Sequence, residues 1–222
     1  MQGTGWKRRA TGVLNKMSGN VFPTKIFIMK NILILFTLMM LSNIAPAQNS
    51  YTIDFGEKGD GIDWQIVDDG VMGGLSQGEG ILYDNYLQFQ GYVSLENNGG
   101  FSSLRSPYQT MDLSSFTTVE IRYKSTDYSV GFTLNKHRVW YLPNYKVNLK
   151  PTNGKWAIAT IKLTDIAQYQ VGRPTGEYLD KESLAQMIRL GFITNEKRAG
   201  AFDFEVDYIR FLSSENRVTS YE

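Results

Sequence analysis

The side chains with chemical potential gather in two short stretches. Residues 68–78 read DDGVMGGLSQG, and residues 94–107 read SLENNGGFSSLRSP. Each joins acidic side chains to paired glycines. Asp68 or Asp69 with Glu96 would form a carboxylate acid/base pair for hydrolysis if the fold brings the two loops together. Asp68 and Asp69 are adjacent, so on a strand their side chains diverge. The same Asp side chains with Asn98 and nearby turn carbonyls are hard oxygen ligands of the kind calcium takes, although no EF-hand spacing is present. The structural alternative is that Asp69 accepts backbone N–H bonds in a turn leading to Gly70. GVMGG lacks the Lys-Ser/Thr of a phosphate-binding loop and the strand-to-helix setting of a dinucleotide fingerprint, so both are set aside.

Other chemistries have less to draw on. The single histidine, His137, lies between Lys136 and Arg138. No nucleophile-elbow sequence accompanies it, and no second histidine could share a metal with it. The chain has no cysteine, which excludes disulfides, thiolate metal sites and cysteine nucleophiles. The densest polar-aromatic cluster is Trp140, Tyr141 and Tyr145, close to Lys136 and Arg138. If exposed, it would meet a glycan or a protein partner. Most of the 4 Trp, 13 Tyr and 12 Phe are expected in the core or at its rim.

The elements that must position these residues are strands. In TVEIRYK, Val119, Ile121 and Tyr123 alternate with Glu120, Arg122 and Lys124, and FDFEVD at 202–207 alternates in the same way. Such a period of two buries one face and wets the other. Further strands are expected at 51–55, 64–67, 81–83, 87–93, 101–105, 130–134, 145–149, 156–162 and 190–194. One helix is expected at 181–189, capped by Asp180 with Leu184, Met187 and Ile188 on one stripe, and a short turn at 164–169. Many short strands separated by turn residues predict an all-β antiparallel sandwich, one domain over about residues 50–212 with a polar tail at 213–222.

Charge is unevenly distributed. Six of the 23 basic residues lie before Gln48, leaving 17 against 22 acidic residues from there on, a net of −5. A mildly acidic domain with no basic stripe in sequence is not expected to bind nucleic acid, whose affinity comes largely from phosphate neutralisation. Residues 29–47, MKNILILFTLMMLSNIAPA, have the layout of a secretory signal peptide: Lys30, an apolar run from Ile32 to Leu41, and the small-x-small site Ala45-Pro46-Ala47. The apolar run falls short of the roughly 20 residues a membrane span needs. The expectation is cleavage after Ala47 and a periplasmic or secreted protein, with residues 1–28 an upstream extension. A mitochondrial presequence is the alternative.

Taken together, the two stretches resemble a known family. Trp64, Asp69, Met72, Gly73, Gly74 and Ser76 fit the first part of the signature of the complex I intermediate-associated protein family. Phe89, Gly91, Asn98, Gly99, Gly100, Phe101 and Arg105 fit the second. The resemblance extends over nearly all of residues 51–212. It implies a galactose-binding-like jelly-roll β-sandwich and non-enzymatic assembly through protein–protein contacts, and it supplies no catalytic triad. With export, the fold and a non-catalytic binding role are what carry over; a carbohydrate-binding module is the alternative. Asn97–Gly100 is expected as a tight turn, with Phe101 entering the core and Arg105 pairing with an acid such as Asp69; whether the two loops meet is left to the structure.

Overall fold

The computed structural model describes residues 50–194 and 196–214. The expected extension, the signal peptide and most of the polar tail lie outside these residues. In chain order the strands are β1 (Ser50–Asp54), β2 (Gln65–Asp68), β3 (Gln77–Leu82), β4 (Leu87–Val93), β5 (Ser102–Arg105), β6 (Thr118–Ser125), β7 (Val130–Asn135), β8 (Asn144–Leu149), β9 (Ala157–Lys162), β10 (Ala167–Gln170), β11 (Arg173–Tyr178), β12 (Arg189–Thr194) and β13 (Gly200–Leu212). One α-helical turn, α1 (Lys181–Leu184), precedes β12. No helix among the described residues is long and apolar enough to cross a membrane.

The strands form two antiparallel sheets. A six-stranded sheet runs β3-β4-β13-β6-β9, with β1 also paired to β13; a seven-stranded sheet runs β11-β10-β8-β7-β12-β5-β2. Side-chain alternation explains which surfaces meet. On β6 burial alternates strictly, with Val119, Ile121 and Tyr123 inward and Glu120, Arg122 and Lys124 less buried. On β12 Leu190, Phe192 and Thr194 point inward, and on β13 Phe202, Phe204 and Val206 do so. The sheets are joined by rings: Phe192 lies 4.8 Å from Phe204, and Trp64 stacks on Phe192 at 6.0 Å while meeting Phe55 edge-on. Fully burying each such ring stabilises the sandwich by roughly 1.5–3 kcal/mol.

Several elements depart from the sequence expectation. The helix expected at 181–189 is a single turn. Asp180 does cap it, accepting from the Ser183 N–H at 2.6 Å. Beyond Leu184 strand pairing prevails: Met111 N–H donates to the Met187 carbonyl, Ile188 N–H donates to Asn135, and Arg189 opens β12. Leu184 and Met187 are buried as the apolar stripe requires, but by tertiary packing instead of helical continuation. At 164–169 a 3-10 turn, Leu163–Asp165, leads directly into β10. The exposed strand β11 has no alternating apolar signal and was not expected. Phe101 is half-buried and lies outside the core, which at this point of β5 is filled by Leu104.

Candidate functional site

The two glycine-rich stretches meet, and Asp69 joins them. Its fully buried carboxylate accepts from the Ser76 N–H at 2.9 Å and the Ser76 hydroxyl at 2.6 Å. From the second stretch it accepts the Gly100 N–H at 2.6 Å and the Phe101 N–H at 3.2 Å. The Ser76 hydroxyl oxygen also accepts from the Ser94 N–H, and the Asn97 amide donates to the Gly73 carbonyl. Burial alone would raise the Asp69 pKa. The Ser76 hydroxyl and the N–H groups of Gly100, Ser76 and Phe101 outweigh it and hold the carboxyl below its ordinary value. The glycines follow from this packing. A Cβ on Gly74 would lie 2.3 Å from Asp69 Oδ1, and one on Gly99 would lie 2.6 Å from Oδ2.

The Asn97–Gly100 segment turns as expected. Asn97 and Asn98 take left-handed backbone conformations at φ 54° and 59°, which asparagine tolerates best after glycine. Asp68, at the end of β2, accepts the Gly78 N–H at 3.1 Å. Gly91, on β4, is paired with Gly78 of β3. Glu96 and Asn98 are exposed at the rim of the joined loops. The loops therefore meet as the acid/base and calcium ideas both required. However, the Asp69 carboxylate is already engaged by four donors of the protein itself. Among the described residues no three acidic or histidine side chains converge as a metal-ligand set.

Two sequence expectations are corrected here. Arg105 does not pair with Asp69. The β2–β5 register sets Asp68 opposite Ser102 and Arg105 opposite Gln65, at the far end of the strand from the Asp69 bonds. Arg105 instead donates through Nε to Ser103 Oγ at 2.8 Å. Tyr145 does not share an exposed cluster with Trp140 and Tyr141. It sits inward on β8, 1% exposed, with its hydroxyl 2.7 Å from Ser183 Oγ. Trp140 and Tyr141 are 71% and 53% exposed on the β7–β8 loop, packed edge-to-face on one another.

The joined loops carry an apolar surface that the motif did not advertise. Met72 belongs to the signature, yet it is 63% exposed, and Val71, Leu75 and Leu95 are also largely in solvent. Leu75 and Leu95 flank Ser76 and Ser94, the residues that lace the loops together. Four large apolar side chains thus ride on a base held by the Asp69 and Ser76 hydrogen bonds. The signal for them in sequence was the apolar V-M-x-x-L within a glycine-rich turn, where core packing is hard to satisfy.

Two further surfaces have functional geometry. At one corner of the six-stranded sheet, a cleft of about 560 Å³ is lined by Asp54, Tyr86, Arg122, Trp156, Glu205 and Asp207, among others. It opens where the neighbour of β13 changes from β4 to β1, beside a bulge between Val206 and Tyr208 that re-aims Asp207. Both its cations are paired, Arg122 with Asp207 and Lys124 with Glu205 at 2.7 Å, which leaves Asp54 and Glu57 as its acids outside an ion pair among the described residues. The outward face of the seven-stranded sheet is different. One register row crosses it as Gln65, Arg105, Gly191, Thr133, Lys146, Ala167 and Tyr178. Arg189 lies in the next row, and Arg138 and Arg189 both set their guanidinium groups 4.3 Å from the Tyr108 ring.

Comparison with known proteins places the domain. The family model described as complex I intermediate-associated protein 30 matches residues 53–206. No curated protein matches significantly. Among solved structures, the family 11 carbohydrate-binding module from Clostridium thermocellum, in complex with a β-1,3-1,4-mixed-linked tetrasaccharide, is 15% identical with a TM-score of 0.55, covering 74% of this chain and 95% of its own. The family 11 module of the cellulosomal cellulase Lic26A-Cel5E of the same organism is 14% identical with a TM-score of 0.56, over the same shares. At these identities the likeness is one of fold: a galactose-binding-like jelly-roll β-sandwich.

Proposed function

The chain belongs to the complex I intermediate-associated protein 30 family, and on that premise we propose that it is an exported, non-catalytic binding protein that acts through protein–protein contacts. The observation that carries this reading is the apolar tip formed by Val71, Met72, Leu75 and Leu95 on the loops fixed by Asp69. Exposed apolar side chains held on a rigid base cost little entropy on docking, and a partner that covers them gains roughly 25 cal/mol for each Å² of apolar area removed from water. The signature then has a dual use: Asp69 and Ser76 build the base, and Met72, with its non-signature neighbours Val71, Leu75 and Leu95, contacts the partner. Export is the part of the proposal that rests on residues 29–47.

The test is a photo-crosslinking amino acid placed at Leu95 in the full chain, produced in its own cell. The expected result is a discrete adduct of defined mass in the exported fraction, lost in a Met72→Asp variant of unchanged thermal stability. Absence of any discrete adduct, or an adduct indifferent to Met72→Asp, would overturn the proposal. Carbohydrate recognition is the second reading. It is favoured by the polar and cationic outward face of the seven-stranded sheet, on a fold shared with modules whose described ligand is a tetrasaccharide.

A further inference from the structure

The outward face of the seven-stranded sheet carries charge against the trend of its domain. Acidic residues outnumber basic ones 22 to 17 from Gln48 onward. The ion pairs among the described residues are Arg122–Asp207, Lys124–Glu205, Arg198–Asp127 and Arg198–Glu196. None of them uses Arg105, Arg138, Arg189 or Lys146. These four cations therefore lie without a carboxylate partner on or beside one sheet face, in a protein with acids to spare. We propose that this face binds an anionic polysaccharide, whose carboxylate or sulfate groups meet Arg105 and Arg189 at one end of the Arg105–Gly191–Thr133–Lys146 row and Lys146 at the other. This deepens the carbohydrate reading and is independent of the apolar loops.

The cations are preorganised. Arg105 is anchored through Nε to Ser103 Oγ, and Arg189 through Nε to the Ser106 carbonyl at 2.8 Å. Anchoring through Nε keeps the Nη edge as the presenting surface, the geometry that grips a carboxylate or sulfate. Burial, and then the neighbouring Arg189, lowers the Arg105 pKa; burial lowers that of Lys146. Both charges are thus held at a cost that an incoming anion relieves. Lys146 Nζ sits 4.2 Å from the centre of the Tyr169 ring, and its stem passes beside Gly131 of β7.

Spacing and lining argue for a polymer of sugars. Three strand spacings separate the Arg105 and Lys146 backbones, about 14 Å. With Arg105 anchored to Ser103 and Lys146 seated at Tyr169, a chain with repeated charges matches that spacing better than one small anion. Between them lie Gly191 and Thr133, flanked by Asn135, Asn144 and Asn148. A Cβ at Gly191 would approach the Leu104 carbonyl to 2.9 Å, so this buried position of the row admits no side chain. Amide and hydroxyl side chains both donate and accept, as sugar hydroxyls do. An acidic protein segment fits less well, because an extended peptide pairs with a sheet edge.

The test is affinity electrophoresis of the purified full chain through gels containing polygalacturonate, dextran sulfate, uncharged mixed-linked β-glucan or poly-glutamate. Retardation by polygalacturonate or dextran sulfate is expected, and it also distinguishes carboxylate from sulfate as the preferred group. It should fall about tenfold in Arg105→Gln and in Lys146→Gln, and weaken as ionic strength rises. Equal retardation by uncharged glucan would overturn the inference and leave the carbohydrate reading standing. Equal retardation by poly-glutamate would overturn it in favour of an acidic protein, and retardation by none of the four would overturn both. Thermal melts of each variant show whether a loss of retardation reflects binding or unfolding.

Discussion

Around Asp69 four donors of the protein converge on one buried carboxylate, while a few strands away four cations sit with none of the acids that the domain holds in excess. Both regions are polar, yet they differ in what satisfies them. The Asp69 site is closed: its partners are backbone N–H groups and a serine of the same chain, so nothing from outside is needed to complete it. The outward face of the seven-stranded sheet is open, because its groups are positioned by the fold but their charge is not answered by it. A closed polar network specifies structure, and an open one is where an external ligand gains most. In this domain most polar members of the recognisable sequence motif belong to the closed region, while Arg105 of the same motif lies on the open face and Met72 faces solvent.

Predictions that break or sharpen this contrast run from large to small. Asp69→Ala strips Gly100, Phe101 and Ser76 of their acceptor, and each buried unsatisfied donor costs about 1–3 kcal/mol. A loss of at least about 3 kcal/mol in urea denaturation is expected; a loss below about 1 kcal/mol would show that the network is not what holds the loops. Gly74→Val forces a side chain against the Asp69 carboxylate, so a loss of roughly 1–3 kcal/mol is expected. An unchanged melting temperature would contradict the close approach.

The pH dependence has a definite sign. The Asp69 pKa is lower in the fold than its unfolded value of about 3.9, so its contribution is fully present above that value. It is lost as pH falls through the lower folded value. The native protein should therefore lose stability more steeply than Asp69→Asn below about pH 4, which melts recorded across that range will decide. Arg105→Gln should change stability by no more than about 0.5 kcal/mol, since it removes repulsion from Arg189 along with one bond to Ser103. A large loss would make the outward face a structural region like the first. Trp140→Ala, at an exposed loop position, should cost least, within about 0.5 kcal/mol.

Much of the sandwich was legible because burial imprints a period of two. β6 and β13 read directly from alternation, and the Asp180 cap from its residue type. The misses share a cause. Residues 181–189 have a helical stripe, but Met187 and Ile188 are claimed by pairing with residues far away in sequence. The exposed β11 buries nothing and so leaves no pattern. Tyr145 looked like a companion of Trp140 and Tyr141 because sequence proximity does not reveal that β8 turns it inward.

Taken alone, the sequence determined the two-sheet β character, the family, and the turn at Asn97–Gly100. Local alternation and turn chemistry act within a few residues, so they survive in the linear chain. Only the tertiary structure decided that Asp69 is enclosed by its own donors, that Met72 faces solvent, and that Arg105, Arg189 and Lys146 share one surface. Those three cations come from β5, β12 and β8 and are gathered by strand register, which no local sequence window contains. Among the described residues none of these cations is in an ion pair, and this is visible only once the sheet has formed.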